Sequence, residues 1–506
     1  MPTKTPAAKT NIWSVITASS VGTLIEWYDF YIFGSLAVIL SERFFPSGNP
    51  TAAFLSTLAT FAAGFVVRPF GALVFGRLGD LVGRKYTFLL TLVLMGGSTF
   101  AIGLVPGYAS IGVFAPILVL LLRLVQGLAL GGEYGGAATY VAEHSPAGRR
   151  GYFTSFIQTT ATLGLFVSLG VILGVKNSMA PAAFAEWGWR IPFLLSIILV
   201  GVSVFIRLRM EESPLFAKVK AEGKISKNPL KESFGRRENL KMVLLALFGA
   251  TAGQGVIWYT GQFYAMSFIE KTCAIGFDQT RYITAAALII GTPFFIVFGA
   301  WSDKIGRKPI MMAGMLVALL SYRPIYQKMY ALSDLSLKQE VVAQTKITTN
   351  RDETAGTIIM TTVKTYGDGT EAKETKTSKI NAATGSMPET KREVSLNASG
   401  FWAMTLLIAV QVIFVTMVYG PIAAFLVELF PTHIRYTSMS LPYHIGNGIF
   451  GGLTPFIATF LYESTKTAAN PAGDPLAGLW YPIGVAAVCF VIGMLYLAPR
   501  PPKEEF

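Results

Sequence analysis

Two copies of a ten-residue motif divide this sequence into related halves. GRLGDLVGRK occupies residues 76–85 and GAWSDKIGRK occupies residues 299–308, so that G-x3-D-x2-G-R-K occurs twice, 223 residues apart. A second pair, EHSPAGRR at 143–150 and ELFPTHIR at 428–435, shares E-x2-P-x3-R at an offset of 285 residues. Repeats of this kind indicate an internal duplication. The difference between the two offsets predicts an insertion of about 62 residues in the second half.

The composition indicates that both halves lie in a membrane. Of the 506 residues, 52% are hydrophobic and only 14% are charged, whereas roughly 25% of residues are charged in a soluble globular protein. Segments such as residues 86–105 and 191–206 are apolar over about the length that a helix needs to cross a bilayer. Their unbroken apolar character predicts helices and not a transmembrane barrel.

About twelve membrane-spanning helices are predicted, six in each half. They lie near residues 13–40, 52–76, 86–106, 111–142, 151–175, 188–208, 241–270, 280–302, 309–327, 400–430, 437–462 and 478–498. We expect no cleavable signal peptide, because the first ten residues are polar and the first apolar run carries charges. Lys and Arg concentrate in alternate short connections, which places those connections and both termini in the cytoplasm. The net charge of +13 therefore reflects topology and does not predict nucleic-acid binding.

The predicted organisation has three parts. Residues 1–210 form the first six-helix half, 211–240 a basic cytoplasmic linker, and 241–506 the second half. Between spans 9 and 10, residues 328–398 are rich in Thr, Lys and Glu, and we expect them to form an extracytoplasmic insertion. Alternation in TIIMTTVKTY at 357–366, followed by Gly-Asp-Gly, favours a small hairpin, and disorder is the alternative.

Three blocks of the first half resemble a known family. They are TLIEWYDFYIFG at 23–34, RPFGALVFGRLGDLVGRK at 68–85 and RLVQGLALGGEYGGAATYVAEHSP at 123–146. The loop motif is similar to the signature of the major facilitator superfamily. The three blocks together resemble its metabolite:proton symporter family, whose members carry shikimate, citrate, 2-oxoglutarate, and proline or betaine. The resemblance implies an all-α membrane protein of twelve helices in two six-helix pseudo-repeats around a midplane cavity, in a bacterial plasma (inner) membrane.

Two carboxylates in span 1 are candidates for proton coupling. Glu26 and Asp29 are three residues apart, so they share one face of a helix, and that face must avoid lipid because an ionised carboxylate there is costly. By depth, the best partner of Asp29 is Arg123 in span 4. The pairing resembles the sugar-porter branch of the superfamily, in which such a carboxylate takes up the coupled proton. We expect Asp29 to be the proton site and Arg123 its counter-ion, and a static buried ion pair is the alternative.

Glu133 is a second carboxylate within span 4. It lies ten residues beyond Arg123, roughly 15 Å along a helix, and therefore at another depth. Gly127, Gly131 and Gly135 surround it at a spacing that allows close helix packing. Glu133 and Glu26 are each either a further proton-coupling residue or a structural carboxylate.

The loop motifs predict a gate. Their glycines permit tight helix approach, and their aspartates can accept hydrogen bonds from a helix N-terminus or pair with an arginine of the other half. In the superfamily, the matching aspartate helps to hold the cytoplasmic side shut. The predicted gating residues are Gly76, Asp80, Gly83, Arg84, Glu143, Arg150, Asp303, Arg307, Glu428 and Arg435. For Arg84, Lys85, Arg307 and Lys308, the alternative is a role in topology alone.

The remaining polar and aromatic residues within spans predict the substrate. The expected cavity residues are Arg68, Gln126, Gln158, Gln254, Trp258, Tyr259, Gln262, Gln411, Tyr443 and Asn447. They suit a small metabolite whose carboxylate meets Arg68 or Arg123, while a quaternary ammonium group could stack on Trp258 or Tyr259. Helix packing for the rings, and snorkelling to the interface for Arg68, are the alternatives.

These features predict a secondary active transporter that imports a small organic metabolite together with protons. We expect a monomer in the lipid bilayer, with no cofactor, metal or nucleic acid. The chain lacks the G-x4-G-K-[ST] loop of a nucleotide-driven pump and the clustered nucleophile, base or metal ligands of an enzyme. Two repeats with gating motifs suit alternating access better than a channel. A proton-independent uniporter or exchanger of the same fold, or a transporter-like sensor, are the alternatives.

Overall fold

The computed structural model describes residues 12–45, 50–146, 148–208, 212–352, 357–379, 389–470 and 473–498. The chain ends, on which the expectations about a signal peptide and about the termini rest, lie outside these ranges. Within them, ten helices are long and apolar enough to cross a membrane. Two helical segments before these ten, each in two pieces, complete the twelve predicted spans. Span 1 comprises Ile12–Ser35 and Ala37–Phe44, and span 2 comprises Pro50–Val66 and Arg68–Leu81.

The remaining spans follow the predicted order closely. Spans 3 to 12 are Arg84–Leu104, Phe114–His144, Arg150–Asn177, Arg190–Leu208, Arg237–Thr272, Phe277–Ile305, Arg307–Ser333, Ala398–Leu429, Arg435–Ser464 and Ala477–Tyr496. Neighbouring spans run in opposite directions. We call the face with the connections after even-numbered spans the basic face, because both loop motifs lie there, and the opposite face the sheet face.

Glycines bring the helices of the first half together, as their spacing predicts. A Cβ added to Gly131 of span 4 would lie 2.2 Å from the carbonyl oxygen of Arg68 in span 2, and one added to Gly127 would lie 2.2 Å from that of Gly64. Gly135, one turn further along, faces the side chain of Ser440 in span 11 instead. The glycine row of span 4 therefore packs first within its own half and then against the other half.

The linker between the halves is folded and covers part of the basic face. It contains helices Pro214–Ala221 and Pro229–Gly235. Each begins with a capping side chain followed by proline, which is a favourable helix start. Ser438 of span 11 donates a hydrogen bond to Ser233 of the linker, with the oxygens 2.8 Å apart. Span 7 begins at Arg237, four residues before the predicted boundary at 241.

The inserted segment forms an antiparallel sheet of four strands in the order β1-β2-β3-β4. The strands are β1 Lys346–Asp352, β2 Thr357–Thr365, β3 Glu371–Lys379 and β4 Glu389–Ser395. The predicted hairpin is confirmed as β2 and β3, in which Thr361 pairs with Thr375, and disorder is the wrong alternative for these two strands. We name β1–β4 the inserted sheet.

The predicted start of the insertion at residue 328 is wrong, because span 9 continues to Ser333. Its last turns are amphipathic and not uniformly apolar. Tyr322, Tyr326 and Met329 form a buried stripe, and the Tyr326 hydroxyl donates to the carbonyl oxygen of Thr260 in span 7 at 2.8 Å. A search for uninterrupted apolar sequence ends the span too early.

Candidate functional site

A cavity of about 370 Å³ lies between the two halves, in the part of the molecule nearer to the sheet face. Spans 1, 2 and 5 line it from the first half, and spans 7, 8 and 11 line it from the second. Its walls are mainly apolar and aromatic. Among the described lining residues, Arg281 is the only charged side chain. Of the predicted cavity residues, Tyr259 and Gln262 line this space.

Aromatic rings of both halves meet in the wall of the cavity. Phe30 of span 1 lies edge-on to Phe263 of span 7, with the ring centroids 5.4 Å apart, and Trp27 lies 5.0 Å from Trp258. Trp258, which we predicted for the cavity surface, is buried within this cluster. Residues Thr260–Tyr264 of span 7 form a π-helical turn, a feature that is frequent at functional sites.

An ion pair lies directly behind the cavity wall. Arg68 Nη1 of span 2 is 3.6 Å from Glu26 Oε1 of span 1. The guanidinium of Arg68 stacks on the ring of Phe65, 4.4 Å from its centroid, and Phe65 itself lines the cavity. The side chains of Arg68 and Glu26 are only 13% and 8% exposed. Sequence reasoning found both residues but not their pairing, because one sequence does not reveal how spans 1 and 2 face each other.

Asp29 points elsewhere, into the interior of the first half. Its Oδ2 accepts hydrogen bonds from Thr99 of span 3 and from Gln126 Nε2 of span 4, the latter at 3.0 Å. Gln126 in turn accepts a hydrogen bond from Arg123 Nη1 at 2.5 Å. The expected direct contact between Asp29 and Arg123 is therefore wrong. Gln126, which the sequence assigned to the substrate cavity, stands between them.

Glu133 belongs to a separate, fully buried ion pair. Arg207 Nη2 at the end of span 6 is 2.6 Å from Glu133 Oε1, and Thr91 of span 3 donates to Glu133 Oε2 at 3.0 Å. Arg207 also donates to the carbonyl oxygen of Phe88 at 2.6 Å. The carboxylate thus ties spans 3, 4 and 6 together. Sequence reasoning missed Arg207 because the residue sits where the basic linker begins.

Between the cavity and the basic face, the halves meet through stacked tyrosine rings, and polar side chains nearby are hydrogen-bonded within each half. The rings of Tyr134 in span 4 and Tyr443 in span 11 stack with centroids 3.7 Å apart, and Gln158 donates to the Tyr134 hydroxyl at 2.7 Å. Gln254 and Asn447 exchange two amide hydrogen bonds of 3.1 and 3.0 Å. Four of the predicted cavity residues therefore lie on the basic-face side of the cavity and already contact other side chains. They are Gln158, Gln254, Tyr443 and Asn447.

Gln411 does not belong to this region. Its Nε2 donates to the carbonyl oxygen of Leu407 at 3.3 Å and lies 3.4 Å from Met329 Sδ in span 9. The side chain is completely buried in the second half. Its assignment to the cavity is therefore wrong, because Gln411 faces span 9 and not the interface between the halves.

The first cluster of predicted gating residues lies at the basic face around Asp80. Asp80 forms an ion pair of 2.7 Å with Arg84 and accepts hydrogen bonds from the backbone N–H groups of Tyr436 and Thr437, at 3.3 and 2.8 Å. These groups begin span 11 of the other half, so Asp80 caps that helix at its positive end. Arg435 Nη1 lies 2.8 Å from Glu143, and this ion pair also crosses between the halves.

The second cluster repeats this arrangement around Asp303. Asp303 forms an ion pair of 2.7 Å with Arg307 and accepts hydrogen bonds from the backbone N–H groups of Gly151 and Tyr152, both at 2.8 Å. Those groups begin span 5 of the first half. In both clusters the glutamate lies near the arginine of its own half, with Glu428 2.9 Å from Arg307 and Glu143 3.8 Å from Arg84. Arg150 donates to the carbonyl oxygen of Ala142 at 3.3 Å.

The other motif positions have distinct structural tasks. Gly83 and Gly306 start spans 3 and 9 with φ of 139° and 101°, which an L side chain rarely adopts. Lys85 donates to the carbonyl oxygen of Leu208 at 3.1 Å, and Lys308 donates to that of Leu497 at 2.7 Å. Each lysine therefore binds the end of a helix in its own half, whereas the arginines beside them belong to the gating clusters.

Gly76 completes the contact between the halves at the first cluster. A Cβ at Gly76 would lie 2.9 Å from the Cα of Thr437. Together, the predicted gating residues lie in two related clusters that join the halves at the basic face, while the cavity lies toward the sheet face.

Known proteins share this organisation. The family described as "Sugar (and other) transporter" matches residues 15–225. The alpha-ketoglutarate permease of Escherichia coli (strain K12) is 32% identical over 485 residues, which is 96% of this chain and 93% of the permease. The proline/betaine transporter of Salmonella typhimurium (strain LT2) is 30% identical over 499 residues, covering 96% of this chain and 84% of that protein. A structure of the proton:xylose symporter XylE, bound to 6-bromo-6-deoxy-D-glucose, matches over 96% of both chains with a TM-score of 0.68 at 17% identity.

Twelve helices in two similar halves, with a cavity between them and clusters of bonds that join the halves at one end, are the organisation of a membrane transporter, and these relatives are transporters and not enzymes. The chain belongs to the major facilitator superfamily and, within it, to the family of metabolite transporters that the permease and the proline/betaine transporter represent.

Proposed function

We propose that this transporter is a symporter that moves a small metabolite carrying a carboxylate, together with a proton, from the sheet face to the basic face. The observation that carries the proposal is the Glu26–Arg68 ion pair directly behind the wall of a cavity that is closed at its other end. Because Glu26 and Arg68 neutralise each other, a substrate carboxylate can bind Arg68 only by replacing Glu26 as its partner.

The exchange links substrate to proton by charge balance. When the substrate carboxylate binds Arg68, Glu26 loses its partner, and a buried carboxylate without a partner is costly. Taking up a proton from the cavity removes that cost, so that Glu26 is neutral while Arg68 holds the substrate. The site has no net charge before and after loading. When the site opens toward the basic face, the substrate and the proton both leave on that side, and the Glu26–Arg68 ion pair forms again.

This mechanism changes the role that the sequence indicated for Asp29. Asp29 is held by Thr99 and Gln126 and points away from the cavity, so we assign the substrate-linked proton to Glu26. Asp29, with Arg123 behind Gln126, is the alternative carrier. Its Oδ1 has no hydrogen-bond partner within the described residues, which makes the ionised form costly there.

Two relatives define the substrate classes to test. One is named a permease for alpha-ketoglutarate and the other a transporter of proline and betaine. A carboxylate of either kind can bind Arg68 in bidentate fashion, and the quaternary ammonium of a betaine can rest on the aromatic wall near Tyr259. Because basic connections lie in the cytoplasm under the positive-inside rule, we propose import into the cell across a plasma membrane.

Purified protein in liposomes that contain a pH-sensitive dye tests the proposal. We expect one of 2-oxoglutarate, citrate, shikimate, proline or betaine to acidify the interior when it is added outside, with no signal from empty liposomes. Uptake of a radiolabelled compound without acidification would refute symport and identify a uniporter or exchanger. Binding without uptake would identify a sensor.

Variants separate the two carboxylates. Glu26→Gln should abolish acidification and accumulation while exchange of labelled for unlabelled substrate continues, because Gln mimics the protonated acid. Asp29→Asn should retain accumulation. The control is Asp334→Asn at a loop position where asparagine also caps the backbone. The reverse result, with accumulation lost only in Asp29→Asn, would assign the proton to Asp29.

A further inference from the structure

The mouth of the cavity contains an ion pair that the transport mechanism above does not use. Arg281 of span 8 lines the cavity and pairs with Glu270 at the end of span 7. Their side chains are 32% and 33% exposed, unlike the buried pairs deeper in the protein. The guanidinium also stacks on the ring of Phe277, 3.6 Å from its centroid. Arg281 is therefore oriented by its neighbours and still open to the cavity.

The inserted sheet holds the turn that joins these two residues. Val394 of β4 donates its N–H to the carbonyl oxygen of Ala274 at 2.7 Å and accepts from the N–H of Gly276 at 3.0 Å. The Gln279 side chain both donates to and accepts from the backbone of Leu396, each at 2.8 Å. Four hydrogen bonds thus fasten β4 and the residue that follows it to the turn between spans 7 and 8 and to the first turn of span 8.

The backbone of this turn indicates that the attachment is specific. Ala274 has φ of +54° and is the only residue other than glycine with positive φ in the described ranges. A non-glycine residue persists in this conformation only when the surrounding structure holds it there. The end of span 7 supplies part of that support, because the N–H of Ile275 donates to the carbonyl oxygen of Ile269 at 2.9 Å. The bonds with Val394 add to it, so the inserted sheet helps to fix the path of the turn between Glu270 and Arg281.

We propose that Arg281 is an outer binding subsite for the substrate carboxylate, positioned at the cavity mouth by the inserted sheet and released by Glu270 when the substrate arrives. This inference rests on the proposed function, because it assumes a substrate with a carboxylate. An exposed ion pair contributes little net stability, so a carboxylate with good geometry replaces Glu270 at small cost. The planar guanidinium then binds both oxygens of the substrate, which later passes inward to Arg68.

The test is the concentration dependence of uptake in proteoliposomes. Arg281→Gln should raise KM for the transported carboxylate about tenfold, the loss of one charge-assisted contact at a half-exposed site, with maximal rate within about twofold. Glu270→Gln should lower KM, because Arg281 no longer has a competing partner. Gln279→Ala removes two of the four fastening bonds and should raise KM less than Arg281→Gln does.

A control variant distinguishes a specific subsite at Arg281 from a general attraction of the substrate by positive charge. A further outcome distinguishes failure of this inference from failure of the proposed function. Lys271→Gln removes a neighbouring exposed positive charge and should leave KM unchanged. An equal rise of KM in Lys271→Gln, or an unchanged KM in both Arg281→Gln and Glu270→Gln, would overturn the inference. Failure of the unaltered protein to transport any carboxylate would instead defeat the proposed function before the variants are compared.

Discussion

Neutralising Asp303 should open the basic face. In the closed state, Asp303 of the second half accepts hydrogen bonds from the N–H groups of Gly151 and Tyr152 in the first half, both at 2.8 Å. An alternating-access transporter must break these bonds whenever the halves separate on that side. Asp303→Asn therefore weakens the closed state and leaves the open state unaffected.

The magnitude follows from the number and type of bonds. Asparagine can accept only one of the two hydrogen bonds, because its amide nitrogen is a donor. One charge-assisted bond is lost, at about 1.5–3 kcal/mol, and the interaction of the negative charge with the start of span 5 adds about 0.3–1 kcal/mol. A total of about 3 kcal/mol changes the ratio of closed to open molecules roughly 150-fold.

Cysteine labelling measures this change. Ser155 of span 5 is fully buried and faces Gly299 of the other half, so Ser155→Cys should react with a maleimide only when the basic face opens. The protein is placed in nanodiscs after Cys273 and Cys489 are replaced by alanine. The initial labelling rate should rise about 100-fold in Asp303→Asn, or until the open state predominates.

A control and a refuting outcome are available. Lys308→Gln removes a charge of the same loop motif whose bonds stay within the second half, and labelling should not change. If Asp303→Asn labels no faster than the parent while both are folded and active, the hydrogen bonds to span 5 do not hold the gate. Equal acceleration in Lys308→Gln would show that the charge of the loop matters and not the capping geometry.

Three further outcomes are expected. Gly299→Ala should lower uptake at least about tenfold and expose the same cysteine, because its Cβ would lie 2.6 Å from a carbonyl oxygen of span 5; uptake at the parental rate would contradict this. Glu133→Gln should lower thermal stability without uncoupling the folded fraction, since breaking a buried pair such as that with Arg207 costs about 3–5 kcal/mol; lost proton coupling at unchanged stability would contradict this. The hydrogen bond from Lys364 lowers the pKa of Glu340, so the pair stabilises the inserted sheet at neutral pH and loses this effect as the pH falls through the lowered pKa. Amide hydrogen exchange in β2 should therefore show a loss of protection in acid in the parent protein, and this loss should be absent in Glu340→Gln.

The buried charges of the first half show how far a single sequence leads. Helical spacing and the cost of charge in lipid identified Glu26, Asp29 and Arg123 as residues that need partners. The partners themselves were only partly found. Glu26 and Asp29 are three residues apart, yet Glu26 meets span 2 while Asp29 meets spans 3 and 4. A difference of a fraction of a turn decides which neighbour a side chain reaches, and the sequence does not specify helix rotation.

The grouping of the predicted gating residues was easier to foresee, because their motif is repeated. Two occurrences of one motif indicated which residues act together, and the structure shows Asp80 and Asp303 in equivalent positions at the starts of spans 11 and 5. The motif offered a helix N-terminus or an arginine of the other half as partners of each aspartate, and the structure shows the helix N-terminus of the other half. Which helix supplies the N–H groups could not be read from the sequence, because backbone donors carry no residue type that marks them.

The sequence by itself determined the membrane environment, the twelve spans, the duplication, the insertion and the residues of the repeated motifs. These follow from local properties, namely apolar length, repeat offset and the residue types of short motifs. The tertiary structure alone decided which charges pair, that Gln126 separates Asp29 from Arg123, that Gln411 faces span 9, and that the inserted sheet is fastened beside Arg281. Those facts depend on how helices rotate and pack against elements far away in the chain, where packing energy depends on many neighbours at once and not on any one segment.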